Sequence, residues 1–167
     1  MVDTVAHGIF SYLIFSKIKD KGKIWLAVLF GILPDLLSWT VFLIFLIFTG
    51  SFSFGRPDLH MNPPDWVFTL YGISHSLIVF AIIFGAVYIF MKKAPIFMLA
   101  WPLHILIDIP THSKDFLPTP FLWPVSSWRF PGISWGTPWF FFGYWTILIF
   151  WLVILLAQKL RKKHLYD

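Results

Sequence analysis

Five apolar stretches dominate this chain of 167 residues and limit what it can fold into. A helix needs about 20 apolar residues to cross the roughly 30 Å of hydrocarbon in a bilayer. Residues 24–48, 66–91 and 138–158 reach that length, whereas 4–17 and 95–110 are shorter. The chain is 58% hydrophobic and only 13% charged, which leaves too little polar surface for a soluble domain of this size. These features predict an all-α fold, a polytopic integral membrane helical bundle with about five spans.

Basic residues indicate how the predicted spans are oriented. Ten of the 13 lysines and arginines follow the first, third and fifth apolar stretches, and Arg56, Lys114 and Arg129 remain for the other side. The ten are Lys17, Lys19, Lys21, Lys23, Lys92, Lys93, Lys159, Arg161, Lys162 and Lys163. With five spans the ten share one side, which the positive-inside rule makes cytoplasmic. We therefore expect a multi-pass protein of an inner or plasma membrane, with its N-terminus outside and its C-terminus inside. The net charge of +5 then reflects topology, and no nucleic-acid partner is expected.

Residues 1–167 form a single predicted domain, with an outer loop at 110–137. Residues 109–138 hold six of the 12 prolines and many aromatic residues. The aromatic residues include Phe116, Trp123, Trp128 and Trp135. Such a composition is typical of an interfacial belt that anchors the outer rim. It also suits a lid over a site, with Arg129 or Lys114 facing a phosphate. The two interpretations are compatible.

Few ionisable side chains lie inside the predicted spans, namely His7, Asp35, His75, His104 and Asp108. An aspartate near the centre of a membrane helix costs roughly 2.5–3.5 kcal/mol on insertion scales, so such residues usually serve a function. A rise of about 1.5 Å per residue, counted from each cytoplasmic end, puts all five about 14–24 Å from that side. Four different helices thus carry them to a similar level. We expect the five side chains to meet.

Three imidazoles and two carboxylates suit a divalent first-row metal, zinc above all. The chain has no cysteine, which excludes thiolate ligands and a cysteine nucleophile. One divalent ion would neutralise the two buried aspartates. His104 and Asp108 are four residues apart and share a helix face, as two ligands of one ion or as a ligand and its orienter. Asp35 follows Pro34, and a proline inside a helix can produce a kink. Such a kink could line a polar cavity, or it could simply accommodate a protonated aspartate.

Each residue taken alone also has a structural explanation. His7 could bond to Asp3, four residues earlier, and His75 could bond to a neighbouring helix. The His104–Asp108 pair could lock two helices together. These explanations remain open singly, but all of them holding at once would leave the shared depth unexplained. The pattern predicts a metal or proton site, not a reaction.

A resemblance to a known family suggests the reaction. The motifs, in order, are Ala6-His7-Gly8, Leu33-Pro34-Asp35, Gly72-Ile73-Ser74-His75-Ser76-Leu77, Leu103-His104-Ile105-Leu106-Ile107-Asp108, Leu122-Trp123-Pro124 and Trp128-Arg129-Phe130. Their order and spacing over residues 5–133 resemble the membrane-bound metal-dependent hydrolase family, the YdjM-like group. That group is distantly similar to zinc-dependent phospholipases C and single-strand nucleases. The resemblance implies a hydrolase that acts on phosphoesters.

Two positions depart from the family pattern. Leu37 stands where the family often has a second aspartate, and Leu70-Tyr71-Gly72 replaces a frequent His-Arg-Gly. Two potential ligands are therefore missing, which predicts one ion rather than a cluster and leaves room for a non-catalytic member. His112 would suit a compensating ligand or a proton shuttle, but we expect a solvated loop histidine there.

The sequence therefore predicts a metal-dependent hydrolase that uses a metal-activated water to cleave a lipid or lipid-linked phosphoester. The expected ligands of one zinc ion, with manganese or iron as alternatives, are His7, Asp35, His75, His104 and Asp108. Asp35 or Asp108 would instead serve as the general base, and Arg129 would face the phosphate. Partners would be the lipid bilayer and the substrate, with the oligomeric state left open. The alternatives are a non-catalytic membrane protein with a structural metal site and a metal or proton permease.

Overall fold

The computed structural model describes residues 2–52, 63–115 and 117–164. Arg56 and Phe116 therefore lie outside the described residues. The α-helices are α1 (Val2–Phe15), α2 (Lys21–Asp35), α3 (Val41–Phe48), α4 (Asp65–Ser74), α5 (Leu77–Met91), α6 (Ala100–Thr111) and α7 (Pro138–His164). A π-helical turn, Leu36–Thr40, joins α2 to α3, and a 3-10 turn, Ile96–Leu99, precedes α6. The described residues contain no strand, so the predicted all-α class is confirmed.

Within the described residues, two helical segments are long and apolar enough to cross a membrane. They are Lys21–Phe48, which joins α2 to α3 through the π-helical turn, and Pro138–Lys162. The α4–α5 pair makes a third if its 55° bend lies within one span. Both α1, with 14 residues, and the apolar segment Ile96–Thr111 are shorter than the bilayer is thick.

Polar and apolar side chains are distributed as in a membrane protein. Phe90 on α5 is 90% exposed, and Phe150 on α7 is 67% exposed. By contrast, His75, His104 and Asp108 are at most 1% exposed. Apolar groups facing outward and ionisable groups facing inward reverse the arrangement of a soluble domain, and this is the pattern expected of helices surrounded by lipid.

The predicted span 66–91 consists of two helices, α4 and α5, that are separated by a break at His75 and Ser76. The α4 helix ends at Ser74, and Ser76 caps α5 by accepting hydrogen bonds from two backbone N–H groups of its first turn. The Ser76 hydroxyl also donates to the carbonyl of Trp123. A broken membrane helix is tolerated when other polar groups satisfy its freed backbone, and here a serine and the outer loop do so.

Small residues bring α1 and α2 close together. A Cβ atom added to Gly31 would lie 1.9 Å from Ser11 Oγ, so only glycine fits there. Close approach through small residues is a common means of packing membrane helices. On another face, α2 packs against α6, so that α2 lies between α1 and α6. This arrangement brings α1, α2 and α6 to one point.

The outer loop folds back over the α4–α5 break. The backbone N–H of Leu77 donates to the carbonyl of Phe121, and the Tyr71 hydroxyl donates to the carbonyl of Leu117. The ring of Trp123 lies 3.1 Å from the Cβ position of Gly72. The loop therefore holds the two half-helices in place beside His75.

Candidate metal centre

The five side chains predicted to meet lie in one cluster at the meeting point of α1, α2, α4 and α6. His7, His75, His104 and Asp108 are each at most 1% exposed. Asp35 is the most accessible of the five, with 13% of its side chain exposed. The cluster is thus nearly closed, with a single carboxylate at its edge.

Local sequence features aim these side chains at one another. Asp35 ends α2 directly after Pro34 and before the π-helical turn, a type of helix irregularity that is frequent at functional sites. His75 is the first of the two non-helical residues between α4 and α5. His104 and Asp108 lie one turn apart on α6, and their spacing puts both on the same face.

Three ligand atoms from this cluster form a compact triangle, and a fourth atom lies near two of its corners. His75 Nε2 and His104 Nε2 are 3.2 Å apart, and Asp108 Oδ2 lies 3.4 Å and 3.1 Å from them. Asp35 Oδ1 lies 3.5 Å from His75 Nε2 and 3.8 Å from His104 Nε2. Tetrahedral ligands at zinc bond lengths are about 3.3–3.6 Å from each other. The spacing therefore fits a small divalent ion.

Hydrogen bonds outside the cluster orient the two imidazoles. His104 Nδ1 lies 2.7 Å from the Gly31 carbonyl oxygen, which can only accept, so Nδ1 carries the hydrogen. His75 Nδ1 lies 2.8 Å from Ser74 Oγ, whose own hydrogen points to the Tyr71 carbonyl. In the neutral rings both Nε2 lone pairs then face Asp108 Oδ2. Three acceptors at this separation repel one another unless a cation lies between them, and this outer support is typical of metal-binding histidines.

Two further residues, Asp3 and His112, adjoin the cluster beside Asp108 Oδ1. His7 Nε2 lies 2.9 Å from Asp108 Oδ1 and 3.7 Å from Asp3 Oδ1. His112 Nδ1 lies 3.8 Å from Asp108 Oδ1, and the residue is only 8% exposed. The expectation of a solvated loop histidine was therefore wrong. The spacing of Asp3 four residues before His7, and of His112 four residues after Asp108, was the sequence signal for both.

Arg129 lies apart from the cluster. Its guanidinium donates to the carbonyls of Ser126 and Trp128, and it lines a cleft of about 330 Å³ under the outer loop. Tyr71 also lines this cleft, and the centroid of its ring is 4.1 Å from that of His75. The cleft is therefore one side chain away from the metal ligands, and the role of Arg129 toward a phosphate stays a prediction.

An apolar groove of about 490 Å³ runs between α1, α2 and α7. Its lining residues are Thr4, Val5, Gly8, Ile9, Tyr12, Trp25, Val28, Ile32, Leu152 and Leu156. At one end the Thr4 hydroxyl donates to Asp35 Oδ2 over 2.6 Å. At the other end the ammonium of Lys159 lies 3.0 Å from the Tyr12 hydroxyl. The groove thus leads from a basic end to the exposed carboxylate of the cluster.

Comparisons with protein-family models, with curated protein sequences and with solved structures found no match for this chain. The function is therefore inferred from the residues of the cluster and from their geometry.

Proposed function

We propose that this chain is a multi-pass membrane hydrolase of the kind its motifs resemble, and that it cleaves a lipid or lipid-linked phosphoester at a metal centre. One observation carries the proposal. His75 Nε2, His104 Nε2 and Asp108 Oδ2 form a buried triangle with sides of 3.1–3.4 Å. Asp35 Oδ1, on the most accessible carboxylate of the cluster, lies 3.5 Å and 3.8 Å from the two histidine nitrogens. Catalytic zinc sites combine three protein ligands with one open position.

The triangle of His75, His104 and Asp108 would hold the ion, and zinc suits these nitrogen and oxygen donors best, with manganese and iron as alternatives. A bound divalent ion supplies an acidified water and polarises a phosphoryl oxygen. Asp35 Oδ1 would accept a proton from the attacking water as general base. The Thr4 hydroxyl holds the other oxygen of that carboxylate, so Oδ1 remains directed toward the histidines.

The groove beside Asp35 supports a lipid substrate. It opens between helices whose outer faces are apolar, and its walls are apolar except near Thr4 and Tyr12. An acyl or prenyl chain lying in it would bring the attached phosphoester to Asp35. Arg129, in the cleft under the outer loop, would contribute positive charge for an anionic headgroup.

The proposed membrane topology has five spans, with the N-terminus outside the cell and the C-terminus in the cytoplasm. The long helices Lys21–Phe48 and Pro138–Lys162 would cross fully, and the α4–α5 pair would cross as a broken span. The shorter helices α1 and α6, which carry His7, His104 and Asp108, would be the remaining two spans. The three basic clusters on one side support this orientation.

The test of the proposed function is metal content together with hydrolysis. The full-length protein purified in detergent should retain a divalent ion, detected by elemental analysis. It should hydrolyse bis(p-nitrophenyl) phosphate or a fluorescent phospholipid, lose this activity to a chelator and regain it with zinc. His104→Ala should remove both ion and activity, whereas Asp115→Asn, an exposed acid in the outer loop, should change neither. A metal-free, inactive wild-type protein would contradict the proposal.

A non-catalytic structural metal site is the second candidate, because Asp35 Oδ1 lies close enough to His75 and His104 to serve as a fourth ligand. A closed site with four protein ligands would bind metal tightly without turnover. The two candidates differ at Asp35. If Asp35 is a metal ligand, the Asp35→Asn variant should bind metal more weakly. If Asp35 is the general base, the variant should bind metal as the wild type does.

A further inference from the structure

The two oxygens of the Asp108 carboxylate face different groups of side chains. Oδ2 faces His75 and His104, at 3.4 Å and 3.1 Å. Oδ1 faces His7 Nε2 at 2.9 Å and the ring of His112, whose Nδ1 lies 3.8 Å away. His112 Nδ1 donates to the backbone carbonyl of Asp108 over 3.1 Å, so Nε2 is the nitrogen of the neutral ring that can bind a cation. A carboxylate arranged in this way can bridge two cations, one at each oxygen.

Buried polar atoms on the Oδ1 side lack hydrogen-bond partners. Among the described residues, both ring nitrogens of His7 and Asp108 Oδ1 have none. His7 Nε2 and Asp108 Oδ1 are close but are not aligned as a hydrogen bond, and each residue is only 1% exposed. An unsatisfied buried polar group is costly. A cation bound between His7 Nε2 and Asp108 Oδ1 would remove that cost by taking a lone pair from each atom.

A terminal carboxylate completes this second group. Asp3, Asp108 and His112 each offer a ligand atom, and the three atoms lie within 4.8 Å of one another. Asp3 Oδ1 is also 3.7 Å from His7 Nε2. The group therefore consists of two imidazoles, one terminal aspartate and the shared aspartate. The first group consists of His75, His104 and the shared Asp108, with Asp35 Oδ1 3.5 Å from His75 Nε2.

We propose that Asp3, His7, His112 and Asp108 Oδ1 bind a second divalent cation, so that Asp108 bridges a two-metal centre. The charges agree with this. Asp3, Asp35 and Asp108 bring three negative charges into an apolar bundle, which a single divalent ion leaves uncompensated. Two divalent ions leave one positive charge, which attracts an anionic phosphoester. Asp3 and His112 thus make up for the two ligands that Leu37 and Leu70 do not supply.

This inference rests on the proposed function and deepens it. Two divalent ions about 3.5–4 Å apart are a common arrangement in enzymes that cleave phosphoesters, because together they stabilise the attacking and the leaving oxygen. In this chain the accessible carboxylates, Asp35 and Asp3, have 13% and 14% of their side chains exposed. Each stands at the edge of one of the two groups, so that a substrate would meet both.

The number of ions per chain tests the inference without relying on activity. The full-length wild type, loaded with zinc and washed, should carry about two ions per chain by elemental analysis. Asp3→Asn and His112→Gln should each carry about one, and the exposed control Asp115→Asn should carry about two. Manganese-loaded wild type should give the electron paramagnetic resonance spectrum of an exchange-coupled pair. The two variants should give the six-line spectrum of an isolated ion.

Either of two results would overturn the second site. One is a wild type that binds a single ion, and the other is a pair of ions unaffected by both Asp3→Asn and His112→Gln. Size-exclusion profiles verify folding, and if one variant fails to fold the other decides. A wild type with one ion and chelator-sensitive turnover would refute the second metal site but not the proposed hydrolase function. A wild type with two ions and no turnover would refute the proposed hydrolase function but not the second metal site.

Discussion

His104 Nδ1 lies 2.7 Å from the carbonyl oxygen of Gly31, and this contact turns the other nitrogen of the ring toward Asp108. The same glycine is the point of closest approach between α1 and α2, where an added Cβ would lie 1.9 Å from Ser11 Oγ. One residue therefore combines two tasks. It permits the helix packing, and its backbone orients a candidate metal ligand.

Gly31→Ala should disturb both tasks. The new methyl group would separate α1 from α2 and shift the carbonyl that orients His104, so the unfolding free energy should fall by about 1–3 kcal/mol. Retained metal should fall as well. Thermal unfolding in detergent and elemental analysis measure the two effects. Gly85→Ala is the matched control, because in the described structure its Cβ would meet no atom within 4 Å. Ser11→Gly should partly rescue Gly31→Ala, and the absence of any rescue would contradict the packing explanation.

Removal of the metal should destabilise the protein. Without a cation, His75, His104 and Asp108 direct acceptor atoms at one another inside an apolar bundle. A ligand at one hundred times its dissociation constant stabilises the folded state by about 2.7 kcal/mol. A chelator should therefore lower the apparent melting temperature by several degrees, and zinc should restore it. His104→Ala should be less stable from the start and insensitive to chelator. A chelator response of equal size in that variant would place the metal elsewhere.

Asp35→Asn should separate chemistry from metal binding. Because Asp35 lies at the accessible corner of the cluster, the variant should keep its metal, and turnover should fall by about 10²–10⁴-fold, the typical contribution of a general base. Thr4→Val, which removes only the hydrogen bond to Asp35 Oδ2, should lower turnover less. Steady-state rates and metal content on the same samples measure this. If Asp35→Asn instead loses metal in proportion to activity, Asp35 is a ligand and the closed structural site is favoured.

The groove should matter for lipid substrates alone. Leu156 lines the groove, so Leu156→Trp should fill part of it and raise the KM for a fluorescent phospholipid several-fold. Hydrolysis of the water-soluble bis(p-nitrophenyl) phosphate should be unchanged. Val153→Trp is the control, since Val153 is 57% exposed on the same helix and is not among the groove residues. Equal effects of Leu156→Trp on both substrates would argue against the groove as a lipid channel.

The proposed topology can be tested with single cysteines, because the natural chain has none. Ser127→Cys in the outer loop should react with a membrane-impermeant maleimide in intact cells. Lys93→Cys, between the third and fourth proposed spans, should react only after the membrane is permeabilised. Labelling of both positions from the same side would contradict the five-span arrangement and its orientation.

Much of the candidate centre was predictable because of the cost of burying ionisable groups. In apolar helices that cost removes most polar residues, so His7, Asp35, His75, His104 and Asp108 stood out and were expected to meet. Asp3 was considered only as a bonding partner of His7, and His112 was expected to be solvated, because both lie near helix ends, where a polar residue can also be solvated. Only their burial beside Asp108 distinguishes the two situations.

The sequence by itself determined the all-α class, the apolar segments and the residue types at the centre, since these follow from local hydrophobicity and from the period of a helix. The tertiary structure decided the break at His75 and the division of Asp108 between two groups of side chains. The break depends on contacts distant in sequence, such as the Ser76 hydroxyl with the Trp123 carbonyl and the Trp101 indole N–H with the Ser74 carbonyl. The division arises because α1 brings His7 and Asp3 to one oxygen of Asp108, while the Gly31 carbonyl on α2 and the α4–α5 break direct His104 and His75 to the other. Hydrophobic pattern specifies which residues are buried, but only the packing of helices specifies which atoms face each other.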